Sequence, residues 1–256
     1  MRFGVCTSPD KLPLLEAAGY DYFEFNFSKL ATMSEEEFAN LRRKVDASPL
    51  KAETYNGFFP GDMPLYNGCD LDRIAAYCAV GFSRAEQLGG KIAVLGSGKA
   101  RSFPEGYDPA EGAAQFVRIL RVCGDAAARH GMMIAIEPLR ACECGYINTV
   151  ADGLAVCRAA DHPAVRVLAD FFHIYSSGES YDAIEAAGNM LIHVHLARPN
   201  DDRAIPTAAD LDACRPWADL LRRVGYDARI SLEGSMKPDF ETAITAVWPV
   251  LEMFAE

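Results

Sequence analysis

Histidine is scarce in this chain, with five in 256 residues, tryptophan occurs twice, and basic residues are outnumbered by acidic ones, 25 to 36. The resulting net charge of −11 repels a phosphate backbone, so broad electrostatic binding to nucleic acid or to an anionic membrane surface is disfavoured. A small neutral or polar molecule suits the chain better as a partner. No stretch approaches the roughly 18 unbroken apolar residues of a membrane span. The opening MRFGVCTSPD lacks a charged-then-apolar leader, which makes the cytoplasm the expected location. Linkers and low-complexity stretches are also missing, and one domain over residues 1–256 is expected.

Cysteine is present, eight times, but scattered through apparent strands and helices of a chain too large to need disulfide staples, and the thiols are read as reduced. The C-x-C pair Cys142 and Cys144 has no second Cys or His pair at finger-like spacing, so packing accounts for it better than zinc does. Half the residues are apolar and 24% are charged, enough to bury a substantial core.

Short apolar, β-branched or aromatic runs recur at 3–7, 22–25, 51–55, 91–96, 132–137, 165–170, 190–196 and 228–233. Helical spacing fills the intervals at 9–18, 34–47, 71–88, 109–130, 149–160, 181–187, 212–224 and 239–254. Glycines at 19, 89, 131 and 225 follow helices and precede strands, the usual helix stop by a residue tolerant of positive φ. The strands are near-continuous apolar runs, as parallel strands covered by helices should be. Eight regular units of about thirty residues with no composition break favour a closed (β/α)8 TIM barrel, α/β in class, over an open doubly wound sheet. The longest irregular pieces, 56–69, 96–107 and 198–209, all follow strands, where a barrel carries its functional loops.

Polar residues stand where the apolar runs stop: Glu24, Glu53, Glu137, Asp170, His195 and Glu233. A strand-end carboxylate in a barrel points toward the mouth at the C-terminal face, where several acids together are costly unless protons or a cation compensate. The last four are separated by 33, 25 and 38 residues, each close to one βα unit, so they belong on neighbouring strands at similar height. Three carboxylates and one imidazole suit one divalent metal ion; the oxygen-rich set leans toward Mn2+ or Mg2+, and the histidine admits Co2+, Zn2+ or Fe2+. Singly, Glu24 and Glu53 read as well as N-caps or ion-pair partners as they do as site groups, and His193 reads as a hydrogen-bonded core residue. Lys99, Arg101 and Arg203 lie in mouth loops, where they either meet a phosphate or carboxylate or are merely solvated.

At these residues the chain resembles the xylose isomerase-like barrel superfamily, in particular the sugar phosphate isomerase/epimerase branch with its ketose 3-epimerases, hydroxypyruvate isomerases and inosose-processing enzymes. The matching segments are Ile136-Glu137-Pro138-Leu139, Asp170-Phe171-Phe172-His173, His193-Val194-His195 and Leu232-Glu233-Gly234. The resemblance implies that Glu137, Asp170, His195 and Glu233 hold one divalent metal, Mn2+ foremost, and that Glu137 and Glu233 double as the acid/base pair. It also implies substrate contacts from Glu143 and His173, beside which Glu53 and Arg203 are expected to face the substrate. The relatives carry an Asn-Arg-type segment after the strand 7 histidine, whereas this chain reads Arg198-Pro199-Asn200-Asp201-Asp202-Arg203, with an arginine two places later and two acids in its stead. Homo-oligomers, dimers or tetramers, are common in the branch.

The activity so implied is that of a metal-dependent isomerase or epimerase of a small sugar or sugar-derived ketone. A chelated carbonyl and hydroxyl acidify the neighbouring C–H, and two carboxylates exchange the proton through an enediolate. On the same site a β-hydroxyl that leaves would make the protein a dehydratase of a keto-polyol, of inosose or dehydroshikimate type, and the altered segment before Arg203 motivates that alternative. Abasic-site endonucleases share the barrel but need three metals, and His130 and His162 fall in or after helices. A non-catalytic barrel is the remaining reading, against which the Glu137 and Glu233 pair speaks.

Overall fold

In the computed structural model, which describes residues 1–200 and 202–256, eight parallel strands close on themselves in the order of the sequence. They are β1 (Arg2–Cys6), β2 (Tyr22–Asn26), β3 (Lys51–Asn56), β4 (Ile92–Leu95), β5 (Met133–Ile136), β6 (Val165–Asp170), β7 (Leu191–Leu196) and β8 (Arg229–Leu232), and β8 pairs back onto β1. Asp201, part of the segment before Arg203, lies outside the described residues. Each expected strand is there, and a helix or a pair of helices fills each expected helical interval, which makes the fold a single-domain (β/α)8 barrel. Gly19, at φ +85°, closes the first helix in a left-handed conformation that a Cβ would strain.

The barrel is layered by side-chain alternation. Ala93, Leu95, Ile134, Ile136, Val167 and Ala169 join the main core between strands and helices, while Ile92, Val94, Ala135 and Leu168 form a separate small cluster on the opposite faces of β4 to β6. The β1, β2, β7 and β8 side of the interior is polar instead. There the Tyr22 hydroxyl shares a hydrogen bond of 2.9 Å with Ser231, and Tyr22 fits because Gly4 has no side chain: a methyl at Gly4 would collide with its ring. Apolar packing thus fills one half of the lumen, and a hydrogen-bonded network fills the other.

Three helices were not expected from sequence: Phe27–Thr32, Gly98–Arg101 and Phe171–Ser177. All three lie just past strand ends, two of them directly and Gly98–Arg101 after two residues, and run only one or two turns, too short for an apolar period to register. Residues 239–254 were expected as one helix but form two, Phe240–Ala246 and Trp248–Ala255, because Pro249 lacks the N–H that a continuous helix needs and sits in the first turn of the second. No helix among the described residues is long and apolar enough to cross a membrane. The eight cysteines are all unpaired.

Candidate functional site

The end of β6 and the ends of its neighbours bring four side chains to one level. Asp170 pairs in register with His195 on β7, which pairs with Ser231 on β8. Glu137 and Glu233 stand one residue past β5 and β8, their N–H groups bonded to Leu95 O (3.1 Å) and Leu196 O (3.2 Å) of the preceding strands. Ligand atoms of Glu137, Asp170, His195 and Glu233 all lie within 4.8 Å of one another. The spacing argument asked for neighbours at similar height, and the barrel register supplies them. Gly96 borders the cluster: a methyl there would collide with Glu137 Oε2.

Three buried or half-buried carboxylates at that separation repel each other, and the ionisation of the group reflects it. Burial, then the charge of Glu233, pushes the Glu137 carboxyl above its ordinary range. Burial likewise raises Asp170 to about 6, against the pull of Arg203. Burial acts upward on Glu233 too, but the charge and hydrogen bond of His195, with Arg203 behind them, bring it down to about 2. Burial would lower His195, yet the surrounding carboxylates Glu233, Glu24 and Glu137 hold its imidazolium well above the usual histidine range. The three acids and one imidazole form a donor set that fits a divalent cation, while the Arg203 guanidinium offsets part of their charge.

His195 connects two halves of the site. Its Nδ1 lies 3.2 Å from Glu137 Oε1 and 3.0 Å from Glu233 Oε2, and its Nε2 lies 3.0 Å from Glu24 Oε1. Glu24 is buried and also meets His193 Nε2 at 2.9 Å and accepts from the Thr54 hydroxyl at 2.7 Å. The sequence reading left Glu24 open between a site group and a mere cap or ion-pair partner, and put His193 in the core as a hydrogen-bonded residue. The structure makes them partners, 169 residues apart in the chain. Asn56 was also missed: its Nδ2 donates to Glu233 Oε1 at 3.2 Å. A lone acid inside the apolar run YFEFN was the only sequence signal for Glu24, and a polar residue ending β3 the only one for Asn56.

Around this centre the mouth is lined as the strand-end loops dictate. Asp170 Oδ1 caps the helix Phe171–Ser177, accepting from the N–H of Phe172 (2.8 Å) and His173 (3.3 Å). That short helix brings buried His173 to 3.4 Å from Asp170 Oδ2 and 3.5 Å from Glu143 Oε2. Arg203 sits with its guanidinium carbon 5.0 Å from the centroid of the Phe172 ring and donates to Asp170 and Glu233. The guanidinium of Arg140 lies 4.8 Å from the same ring centroid, and its Nε donates to Glu143 at 2.9 Å. Glu143, His173 and Arg203 are therefore gathered with the four strand-end groups.

Two expectations need correction. Glu53 does not face the mouth. The β2–β3 register passes from Ala52 to Thr54, which leaves Glu53 as the bulged residue, and its carboxylate binds Arg2 and Arg229 (2.7 Å) at the starts of β1 and β8. It closes the barrel floor, at the end opposite the site. Arg101 is neither solvated nor free to meet an anion: fully buried, it donates to the carbonyls of Leu95 (3.2 Å), Glu137 (2.9 Å) and Ile147 (3.3 Å), clamping the loops after β4 and β5. Lys99 is exposed on the neighbouring turn.

Comparison with known proteins agrees with the fold. The profile of the xylose isomerase-like TIM barrel family matches residues 12–247. D-psicose 3-epimerase of Agrobacterium fabrum (strain C58) is 29% identical over 143 residues, 54% of this chain and 44% of that protein. The 3-dehydro-D-guloside 4-epimerase of Escherichia coli (strain K12) is 29% identical over 121 residues, 47% of this chain and 45% of that protein. The chain therefore spans less than half the length of these curated relatives in its match to them. Among solved structures, D-allulose 3-epimerase from Methylomonas sp. in complex with D-allulose superposes with a TM-score of 0.84 at 17% identity, over 98% of this chain and 96% of that one. The apo form of 3-keto-D-glucoside 4-epimerase from E. coli gives 0.78 at 21% identity, over 100% and 99%. At such identities the superpositions speak for the fold. With its closed eight-stranded barrel and a profile match over most of its length, the chain belongs to the xylose isomerase-like TIM barrel family.

Proposed function

We propose that the protein is a divalent-metal-dependent epimerase or isomerase of a small sugar or sugar-derived ketone, with Glu137 and Glu233 as its proton carriers and Mn2+ as the favoured ion. The observation that carries the reading is the approach of Glu137 and Glu233 to His195 Nδ1 from two different strands of the barrel, at 3.2 and 3.0 Å. Two carboxylates reaching one point from separate strands can address opposite faces of a molecule lodged between them.

Glu137, Asp170, His195 and Glu233 would hold the ion, which when bound supplies Lewis acidity toward a carbonyl and an adjacent hydroxyl. One glutamate then takes a proton from the carbon beside the carbonyl, and the C–H electron pair is left on the carbonyl system. The other returns a proton to the opposite face, which inverts the centre; return to the neighbouring carbon by the first would isomerise instead. His173, Glu143 and Arg203 bind the polyol hydroxyls and fix which carbon lies between the carboxylates. Asn56 steadies Glu233 through its Oε1. The names of the relatives support this division of labour: a 3-epimerase of the 2-ketose psicose and a 4-epimerase of a 3-dehydro sugar both act on the carbon next to a ketone.

The dehydratase alternative drew on the altered segment before Arg203. Arg203, at the end of that segment, lies in the mouth, 2.7 Å from Asp170 and 2.6 Å from Glu233, contacts a site of either kind can use, so it is the epimerase names of the relatives that favour the first reading. The test is incubation of the Mn2+-supplemented protein with ketohexoses, ketopentoses and 3-keto glycosides, followed by NMR. Appearance of an epimer or isomer from at least one is the expected result. Formation of an enone absorbance without any epimer would replace the proposal with a lyase.

A further inference from the structure

We infer that Glu24 is a positioning residue for the metal centre: its carboxylate keeps the proton of His195 on Nε2 and so leaves Nδ1 to face the ion. The inference rests on the metal-binding reading above and concerns a residue one layer beneath the four ligands.

A carboxylate accepts hydrogen bonds and does not donate them. Glu24 Oε1 lies 3.0 Å from His195 Nε2, and Glu24 Oε2 lies 2.9 Å from His193 Nε2. Each ring must therefore bring an N–H to Glu24 at its Nε2. For His195 this leaves the other nitrogen, Nδ1, on the side of Glu137 and Glu233, where the N–H that the metal-free imidazolium turns to those carboxylates would give way to the lone pair a bound ion needs. A ring flipped about its Cβ–Cγ bond would turn carbon toward the buried carboxylate and forfeit a charge-assisted hydrogen bond in a site sealed from water.

Glu24 is itself held. The Thr54 hydroxyl donates to Oε2 at 2.7 Å from β3, and His193 meets the same oxygen from β7 with its ring at 82° to that of His195 and centroids 5.0 Å apart. Among the described residues His193 Nδ1 is buried without a partner, so of these it is Glu24 that orients the ring by hydrogen bonding. The two histidines of β7 thus divide: His195 reaches upward to the mouth, and His193 anchors the carboxylate that aims it. Cys6 Sγ, Glu24 and His195 also form a compact trio. Since the Glu24 and His195 atoms there are already bonded to each other, the trio extends the support of the ligand rather than making a second metal site.

Glutamine is the informative replacement. Glu24→Gln keeps the shape and packing but turns one acceptor into a donor, so it cannot accept from both histidines. The test is isothermal titration with Mn2+ on the wild type and E24Q, with thermal unfolding of the metal-free proteins, and 15N–1H long-range NMR of histidine-labelled wild type loaded with diamagnetic Mg2+ or Zn2+. Expected are an E24Q affinity for Mn2+ weaker by about 10- to 100-fold, the usual loss for such partners, a lower metal-free unfolding temperature because buried charged hydrogen bonds are weakened, and Nε2–H signals for both His193 and His195. Wild-type Mn2+ affinity retained by E24Q, or an Nδ1–H signal from His195 in the loaded wild type, overturns the role of Glu24 and leaves the metal site standing. Failure of the wild type to bind any divalent ion overturns both. The NMR arm uses wild type alone, so it decides the question even if E24Q does not fold.

Discussion

Arg203 Nη2 lies 2.6 Å from Glu233 Oε2 and 2.7 Å from Asp170 Oδ2, so a single corner of one guanidinium ties the carboxylate at the end of β6 to the one just past β8. The loop is built for that reach. Arg203 has φ +48°, its carbonyl accepts from Ser235 N at 2.7 Å, and Gly234 leaves room, since a methyl there would collide with that carbonyl. A guanidinium between two acids and a divalent cation between the same acids relieve the same repulsion.

Removing the arginine should therefore hurt the metal-free protein more than the loaded one. Truncating one partner of a buried charge pair costs 2–5 kcal/mol, and because Arg203 keeps some solvent contact, Arg203→Met should cost about 2 kcal/mol. In a chain of this size that is a fall in unfolding temperature of about 4–8 °C. Differential scanning fluorimetry with and without Mn2+ checks it: most of the loss should return on adding the ion, and an equal loss in both conditions would count against shared neutralisation.

Asp170 has two tasks that a single substitution separates. Asn caps helices as well as Asp does, so Asp170→Asn should keep the helix Phe171–Ser177 while removing a ligand charge. At a hundred times its Kd, Mn2+ should stabilise the wild type by about 2.7 kcal/mol, and EDTA should remove that gain. In Asp170→Asn the gain should fall below half, with the metal-free unfolding temperature moving by a few degrees at most; an undiminished gain would take Asp170 out of the ligand set.

Glu53 supplies the opposite control. Its partners are Arg2 and Arg229 on the barrel floor, and Glu53→Gln should cost about 1–3 kcal/mol of stability through weakened charged hydrogen bonds. The stabilisation by Mn2+ should stay at the wild-type value, because Glu53 is remote from the mouth. A reduced metal response in Glu53→Gln would contradict its place on the floor.

Gly96→Ala tests how closely Glu137 is positioned. The added methyl would meet Glu137 Oε2, so the carboxylate must move while the strand and its neighbours stay paired. A displacement of about 1 Å at a reacting group costs on the order of 100-fold in rate. Steady-state kinetics on whichever sugar is turned over should show that loss mainly in kcat, with far-UV circular dichroism unchanged; wild-type kcat would mean Glu137 has room to spare.

How much of this was legible beforehand depends on which residues speak locally. Glu137, Asp170, His195 and Glu233 stand where apolar runs stop, and the regular length of a βα unit converts that into common height, so the cluster could be read along the chain. Glu53 looked alike but is the residue that a bulge leaves out of register, and nothing local announces a bulge that depends on how β2 and β3 pair. The Glu24 contacts require β2 and β7 to face each other across a closed barrel, 169 and 171 residues apart, which is a property of closure rather than of either strand. Arg101 was misjudged for a related reason: a base in a loop is ordinarily solvated, but the carbonyls of Leu95, Glu137 and Ile147, brought together only by the fold, close around this one.

The central claim is that Glu137 and Glu233 carry a proton to and from the carbon beside a carbonyl, and isotope exchange reads that step directly. In D2O with Mn2+ and a substrate from the panel above, the wild type should incorporate one deuterium at that carbon, followed by 1H NMR. Glu137→Gln and Glu233→Gln should each slow incorporation by at least the 100- to 10,000-fold that a positioned acid or base contributes. Incorporation at the wild-type rate in both variants would contradict the account.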